Sequence, residues 1–212
     1  MIKPLECRLP FLIMGPAVLA FFYGIYFVKI YVQKQHGIQT CQIGNRKEKE
    51  IHTVEFLMSI ATISVVIVQL LSIAFDWSYL PPSARFTGFC VGAIGDLIFL
   101  LSVICMKDNW RAGIPESDRT ELVTSGIYRF SRNPAFLGFD FMYIGVLLMF
   151  FNPFNLIFSL FPIIMLHLQI LQEEKYMEAT FGEKYLDYKS KTFRYLGCKN
   201  QKITNKKLNI RR

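Results

Sequence analysis

The chain has 212 residues, 52% of them hydrophobic, with 20 Phe and a formal net charge of +8. A soluble domain of this length does not need so much apolar surface, so composition argues against an ordinary soluble protein and for a membrane protein. The positive charge fits nucleic acid or anionic lipid headgroups, and the hydropathy favours lipid, so membrane lipids are expected partners and nucleic acid is not.

Five apolar segments follow in chain order, at about 9–32, 54–75, 86–106, 135–151 and 154–171. Crossing the hydrocarbon core takes roughly 20 helical residues, which the first three provide and the last two approach. The first segment could be read as a signal peptide. It is too long, however, and runs into "VKIYVQK" rather than a small-residue cleavage site, so a retained helix is expected. Only Asn152-Pro153 separates the last two segments, and Pro can both stop one helix and open the next. The expected fold is therefore an all-α, multi-pass membrane protein of five transmembrane helices, with a tight antiparallel hairpin formed by the last two.

Charge fixes the expected orientation. With the C-terminus cytoplasmic, 20 Lys and Arg fall on the inner side and three (Lys3, Arg8, Arg85) on the outer side, as the positive-inside rule requires. Loop length and Lys/Ile/Phe usage suggest a bacterial plasma membrane. The expected division is an N-terminal three-helix membrane region over 1–106, a polar-loop, hairpin and post-hairpin region over 107–197, and a basic tail over 198–212. The five Cys include no C-x-x-C pair, and no metal site is expected.

The loop before the fourth span contains "SGIYRFSRNPAFLGF". Gly126 permits positive φ, while Pro134 fixes its own φ and holds Asn133 extended. Such a backbone wall suits a small polar ligand gripped by main-chain groups, and equally a plain membrane-entry turn. After the fifth span, Gln169 and Glu173 share a helix face, and His167 lies within two turns of Glu174. Glu173 and Glu174 should stand near Arg129 and Arg132, either as simple ion pairs or as groups for a ligand. His167 reads as a packing residue or a proton carrier. Tyr176, Phe181, Tyr185, Tyr188 and Tyr195, interspersed with Lys, read as an interfacial anchor. Asp96 and Asp140 lie inside spans, where charge is costly, and read either as interhelical contacts or as functional groups.

"LVTSGIYRFSRNPAFLG", a short helical hairpin, "EE" and then "FGEKYLDYKSKTFRYLG" together resemble the integral-membrane methyltransferases, which include isoprenylcysteine carboxyl methyltransferase and the phospholipid N-methyltransferases. The likeness covers about 109–197. It implies S-adenosylmethionine as methyl donor, held in a cytoplasmic cleft made by the loop and the post-hairpin helix. By position, the resemblance puts Gly113, Thr120, Glu121, Leu122, Val123, Gly126, Tyr128, Asn133, Pro134, Ala135, Phe136 and Glu173 at the donor. Arg132, His167 and Glu174 are the candidate catalytic groups, and Gln169 is the candidate acceptor-binding residue. Asn133 and Phe136 replace a His and a Tyr of the prenylcysteine enzymes, and Gln169 stands where those enzymes carry Arg. An amide cannot reproduce the bidentate grip of a guanidinium on a carboxylate. The acceptor is expected to be a lipophilic carboxylate, thiol or amine. The competing reading is a non-catalytic membrane scaffold or small transporter with the same fold.

Overall fold

The structure is a computed structural model that describes residues 5–42, 49–113 and 121–197. Thr120 and the basic tail over 198–212 lie outside the described residues. All the regular structure described is helical: α1 (Leu5–Gln35), α2 (Lys49–Ala74), α3 (Pro82–Met106), α4 (Pro134–Met149), α5 (Pro153–Phe181) and α6 (Glu183–Lys191).

Proline and backbone geometry set most of the boundaries. α3, α4 and α5 each begin with Pro in the first turn, where a missing N–H is harmless. Asn152 caps α5 by accepting a hydrogen bond from the Asn155 N–H at 2.9 Å. Its amide also donates to Ser72 Oγ and to the carbonyl oxygen of Trp77, which ties the α4–α5 turn to the end of α2. Gly182, at φ +52°, breaks α5 from α6.

Four helices (residues 9–35, 49–74, 82–109 and 153–181) are long and apolar enough to cross a membrane. α4 is apolar but has 16 residues, about 24 Å at 1.5 Å per residue, against a hydrocarbon core of about 30 Å. Large apolar side chains such as Ile13, Phe27, Ile63, Leu97 and Ile157 stand exposed along these helices, as lipid-facing residues do. The chain is a multi-pass membrane protein.

The expected tight hairpin is looser than its two-residue connection suggested. The last two helices are consecutive, yet α4 packs mainly on α3 and α5 mainly on α2. The cause is a seam of glycines. A Cβ added at Gly145 would lie 2.4 Å from Gly92 N, and one at Gly95 would lie 2.6 Å from Met142 N. Small residues let the two backbones approach, which is how helices associate where lipid removes the hydrophobic drive between them. α1 closes this pair with rings: Phe22 stacks on Phe99 at 4.4 Å between centroids and meets Phe139 edge-on at 4.6 Å. Beyond the far end of this core, Arg85 is buried against Asp76 at 2.5 Å and lies 4.1 Å over the Phe11 ring.

Candidate active site

The polar loop and the end of α5 meet at one end of the bundle. α1 positions the loop's first half. Gln33 Nε2 donates to the Trp110 carbonyl at 3.1 Å, and Thr40 Oγ1 donates to Gln33 Oε1 at 2.7 Å. Two backbone bonds then pin the chain after α1 to the loop, from Gln42 N to Ala112 O and from Ala112 N to Thr40 O. Trp110 and Gly113 are thereby fixed beside the end of α3.

The loop's second half is held by the chain after α5. Gly126 takes φ +60°, and a Cβ there would lie 2.4 Å from Cys105 Sγ, so this glycine serves a close approach to α3. Glu174, buried on α5, gathers the segment that follows. Arg132 donates to its Oε1 from Nη2 at 2.7 Å and from Nε at 3.2 Å. Arg194 donates to Oε2 at 2.9 Å, and Asn133 Nδ2 donates to Oε1 at 3.3 Å. Arg132 Nη1 also donates to the Thr192 carbonyl at 2.6 Å. The chain past α6 pairs with the loop through its backbone, Arg132 N to Phe193 O at 3.0 Å and Gly197 N to Phe130 O at 2.8 Å.

Tyr185 and Tyr188 correct the expectation of an interfacial anchor. Both are buried. The Tyr188 hydroxyl donates to the Tyr128 carbonyl at 2.6 Å. Burial raises the Tyr188 and Tyr128 phenols above their ordinary range, and burial followed by the Glu174 charge pushes Tyr185 up to about 12. All three remain protonated at neutral pH. An aromatic series among lysines reads the same whether it faces headgroups or its own loop, so the sequence carried no signal that separated the two.

These elements enclose a cleft of about 130 Å³. Gly113, Glu121, Leu122, Val123, Tyr128, Arg132, Asn133, Ala135, Phe136, Glu173 and Glu174 line it, eleven of the residues singled out from sequence. Trp110, Arg111, Tyr176, Met177, Tyr185 and Tyr188 line it too; the three tyrosines were expected to form an interfacial anchor, and the other three were not singled out. Four further choices fall elsewhere. Gly126 and Pro134 shape the backbone without facing the cleft, while His167 Nδ1 is hydrogen-bonded to the Tyr195 hydroxyl at 2.5 Å. Gln169 lines a second, larger cavity of about 770 Å³.

That second cavity is almost wholly apolar and runs between α1, α2, α4 and α5. It shares Trp110, Arg111, Gly113, Ala135, Phe136 and Glu173 with the cleft, so the two are contiguous at those residues. The cleft side offers carboxylates (Glu121, Glu173), aromatic faces and non-helical backbone. Glu121 N is bonded to Asn109 Oδ1 at 2.9 Å, and among the described residues the N–H groups of Leu122 and Val123 have no backbone partner. Among the described residues no cluster suits a metal ion.

Residues 85–184 match the family described as Phospholipid methyltransferase. The chain is also similar to curated proteins named Protein-S-isoprenylcysteine O-methyltransferase. The one from Saccharomyces cerevisiae is 39% identical over 77 residues, covering 36% of this chain and 32% of that protein. The one from Dictyostelium discoideum is 26% identical over 145 residues, covering 65% and 59%. The one from Mus musculus is 35% identical over 108 residues, covering 50% and 38%. The chain thus spans from about a third to three fifths of the length of these relatives.

Proposed function

We propose that this chain, a member of the integral-membrane methyltransferase family across residues 85–184, transfers a methyl group from S-adenosylmethionine to a lipophilic acceptor. One observation carries the reading: a carboxylate-bearing cleft shares a wall of six residues with an apolar cavity among the membrane helices. A water-soluble donor and a bilayer-soluble acceptor need two such compartments with a shared wall.

The donor's chemistry fits the residues present. Glu173 and Glu121 offer carboxylates for ribose hydroxyls or a cationic group, Trp110, Tyr128 and Phe136 offer ring faces, and the non-helical backbone at Leu122 and Val123 offers N–H groups. When bound, S-adenosylmethionine supplies an electrophilic methyl on a sulfonium, whose bonding pair returns to sulfur on transfer. The protein's part is to hold donor and acceptor in line and to keep water out. Phe136 and Gly113, on the shared wall, stand where the two meet. Glu174 and Arg132 saturate each other and the chain past α6, which makes them positioning residues for the loop rather than groups that reach the reacting atoms.

The five-span reading places the cleft and the C-terminus on the cytoplasmic side, with α4 as the short fifth span. The inner side then carries 20 of the chain's Lys and Arg. Label transfer tests the activity: purified protein, methyl-tritiated S-adenosylmethionine and extracted membrane lipids should give radioactivity in the organic phase. A scaffold or transporter would leave that phase unlabelled while the protein stays folded.

A further inference from the structure

Three large apolar side chains outside the long helices stand exposed at the end of the bundle that holds the cleft: Phe130 at 58%, Phe193 at 44% and Leu196 at 59%. Backbone pairing brings them together. Gly197 N donates to the Phe130 carbonyl at 2.8 Å, and Phe193 N donates to the Gly197 carbonyl at 3.2 Å. Gly197, at φ +125°, makes the turn, and a Cβ there would lie 2.7 Å from the Phe193 ring. The three side chains therefore form one patch built by the fold, and a contiguous exposed apolar patch marks a contact surface.

The depth of the patch is set by α5. The Tyr195 hydroxyl, between Phe193 and Leu196 in the chain, is hydrogen-bonded to His167 Nδ1 at 2.5 Å, and the two rings stack at 6.0 Å between centroids. His167 lies in the apolar stretch of α5 between Ile164 and Leu168, which are exposed as lipid-facing residues are. The chain past α6 thus returns to the level of the hydrocarbon boundary. Phe130 stands at that boundary too, four residues before the apolar helix α4 begins.

Charge says which surface the patch meets. Residues 183–212 carry ten Lys and Arg against two acidic residues, a surplus as large as the net charge of the whole chain, +8. Arg129 is exposed beside Phe130, and Lys191 is exposed two residues before Phe193. Apolar side chains at the boundary with cations around them fit a leaflet rich in anionic headgroups. A second copy of this chain would bring the same positive surplus to the contact and is disfavoured.

We propose that Phe130, Phe193 and Leu196 seat in an anionic lipid leaflet and latch the cleft-lining loop in place. The link to the loop is direct. Arg132 and Asn133 line the cleft, Arg132 N donates to the Phe193 carbonyl at 3.0 Å, and Asn133 Nδ2 donates to the Arg194 carbonyl at 3.2 Å. Lipid that holds the patch favours the state in which those bonds are made.

The test uses the full chain in lipid nanodiscs, one copy per disc. Hydrogen exchange is followed by mass spectrometry of the peptides that contain the Arg132, Phe193 and Gly197 amides. With about one third anionic lipid these amides are expected to exchange about tenfold more slowly than in purely zwitterionic discs. Salt at about 1 M, where the screening length is about 3 Å, should remove the difference. The double variant Phe130→Ser, Leu196→Ser should exchange at the zwitterionic rate in both kinds of disc, with its unfolding temperature in detergent close to the parent's. Should it fail to fold, Leu196→Ser alone carries the comparison, with a smaller lipid effect than the parent expected. Equal exchange in the two kinds of disc, a difference that survives salt, or a variant that responds to anionic lipid as the parent does overturns the proposal. Slowing that appears only in discs holding two chains would assign the patch to a second copy and overturn it as well.

Discussion

Two adjacent glutamates do different work. Glu174 is buried and takes bonds from Arg132, Arg194 and Asn133, so its removal leaves a buried guanidinium without its anion. Loss of one partner from such a pair typically costs about 3–5 kcal/mol. Glu174→Ala is therefore expected to lower the thermal unfolding temperature strongly in detergent, and an unchanged transition would contradict the structural assignment. Glu173 is half-buried on the shared wall, so Glu173→Ala should leave the unfolding temperature close to the parent's and reduce donor affinity instead. Tyr185 yields a pH prediction. Its phenol, pushed up to about 12 from 10.0, favours the protonated form in the folded state. Its contribution is fully present below pH 10 and is lost as pH rises toward 12. A pH series of unfolding temperatures should fall above pH 10, and Tyr185→Phe should flatten that fall.

At the scale of the helices, the α3–α4 seam sets the geometry that the loop inherits. Gly145→Leu would drive a side chain into the Gly92 backbone and should prevent folding, whereas Gly24→Ala, with no atom within 4 Å, should change stability by about 1 kcal/mol or less. Expression and unfolding of the two variants check this directly. The apolar helices were legible because hydropathy and Pro mark where helices begin and end, although only four of the five expected spans are long enough to cross a membrane. Their partners were not. The seam glycines at 88, 92, 95, 138 and 145 stand in plain sight in the sequence, but spacing alone does not say which helix they meet. The two-residue link between the last helices pointed to a hairpin, whereas backbone contact drew α4 to α3 and left α5 to α2. In the site, "EE" and "RNP" were readable as neighbours because a short connection brings helix ends together. The roles of the two glutamates were not, since burial, which separates them, has no local signature. Tyr185 and Tyr188 passed as surface aromatics for the same reason.

Across the whole molecule, the membrane part and the polar part depend on each other. α1 holds Trp110 through Gln33, α3 abuts Gly126, and α5 runs on from the bilayer segment to supply Gln169, Glu173 and Glu174. The cleft thus lies at one end of the helical bundle and shares lining residues with the apolar cavity between α1, α2, α4 and α5. The proposed orientation rests on charge: a tag at the C-terminus should be digested by protease added to inside-out vesicles and protected in right-side-out cells. The opposite pattern would reverse the proposed sidedness. The most direct test is calorimetric titration of S-adenosylhomocysteine into the purified full chain, alongside Glu173→Ala. Saturable binding by the parent, weakened at least tenfold in the variant, is the expected result. No binding by the folded parent, or equal binding by both proteins, would contradict the assignment of this cleft to the methyl donor.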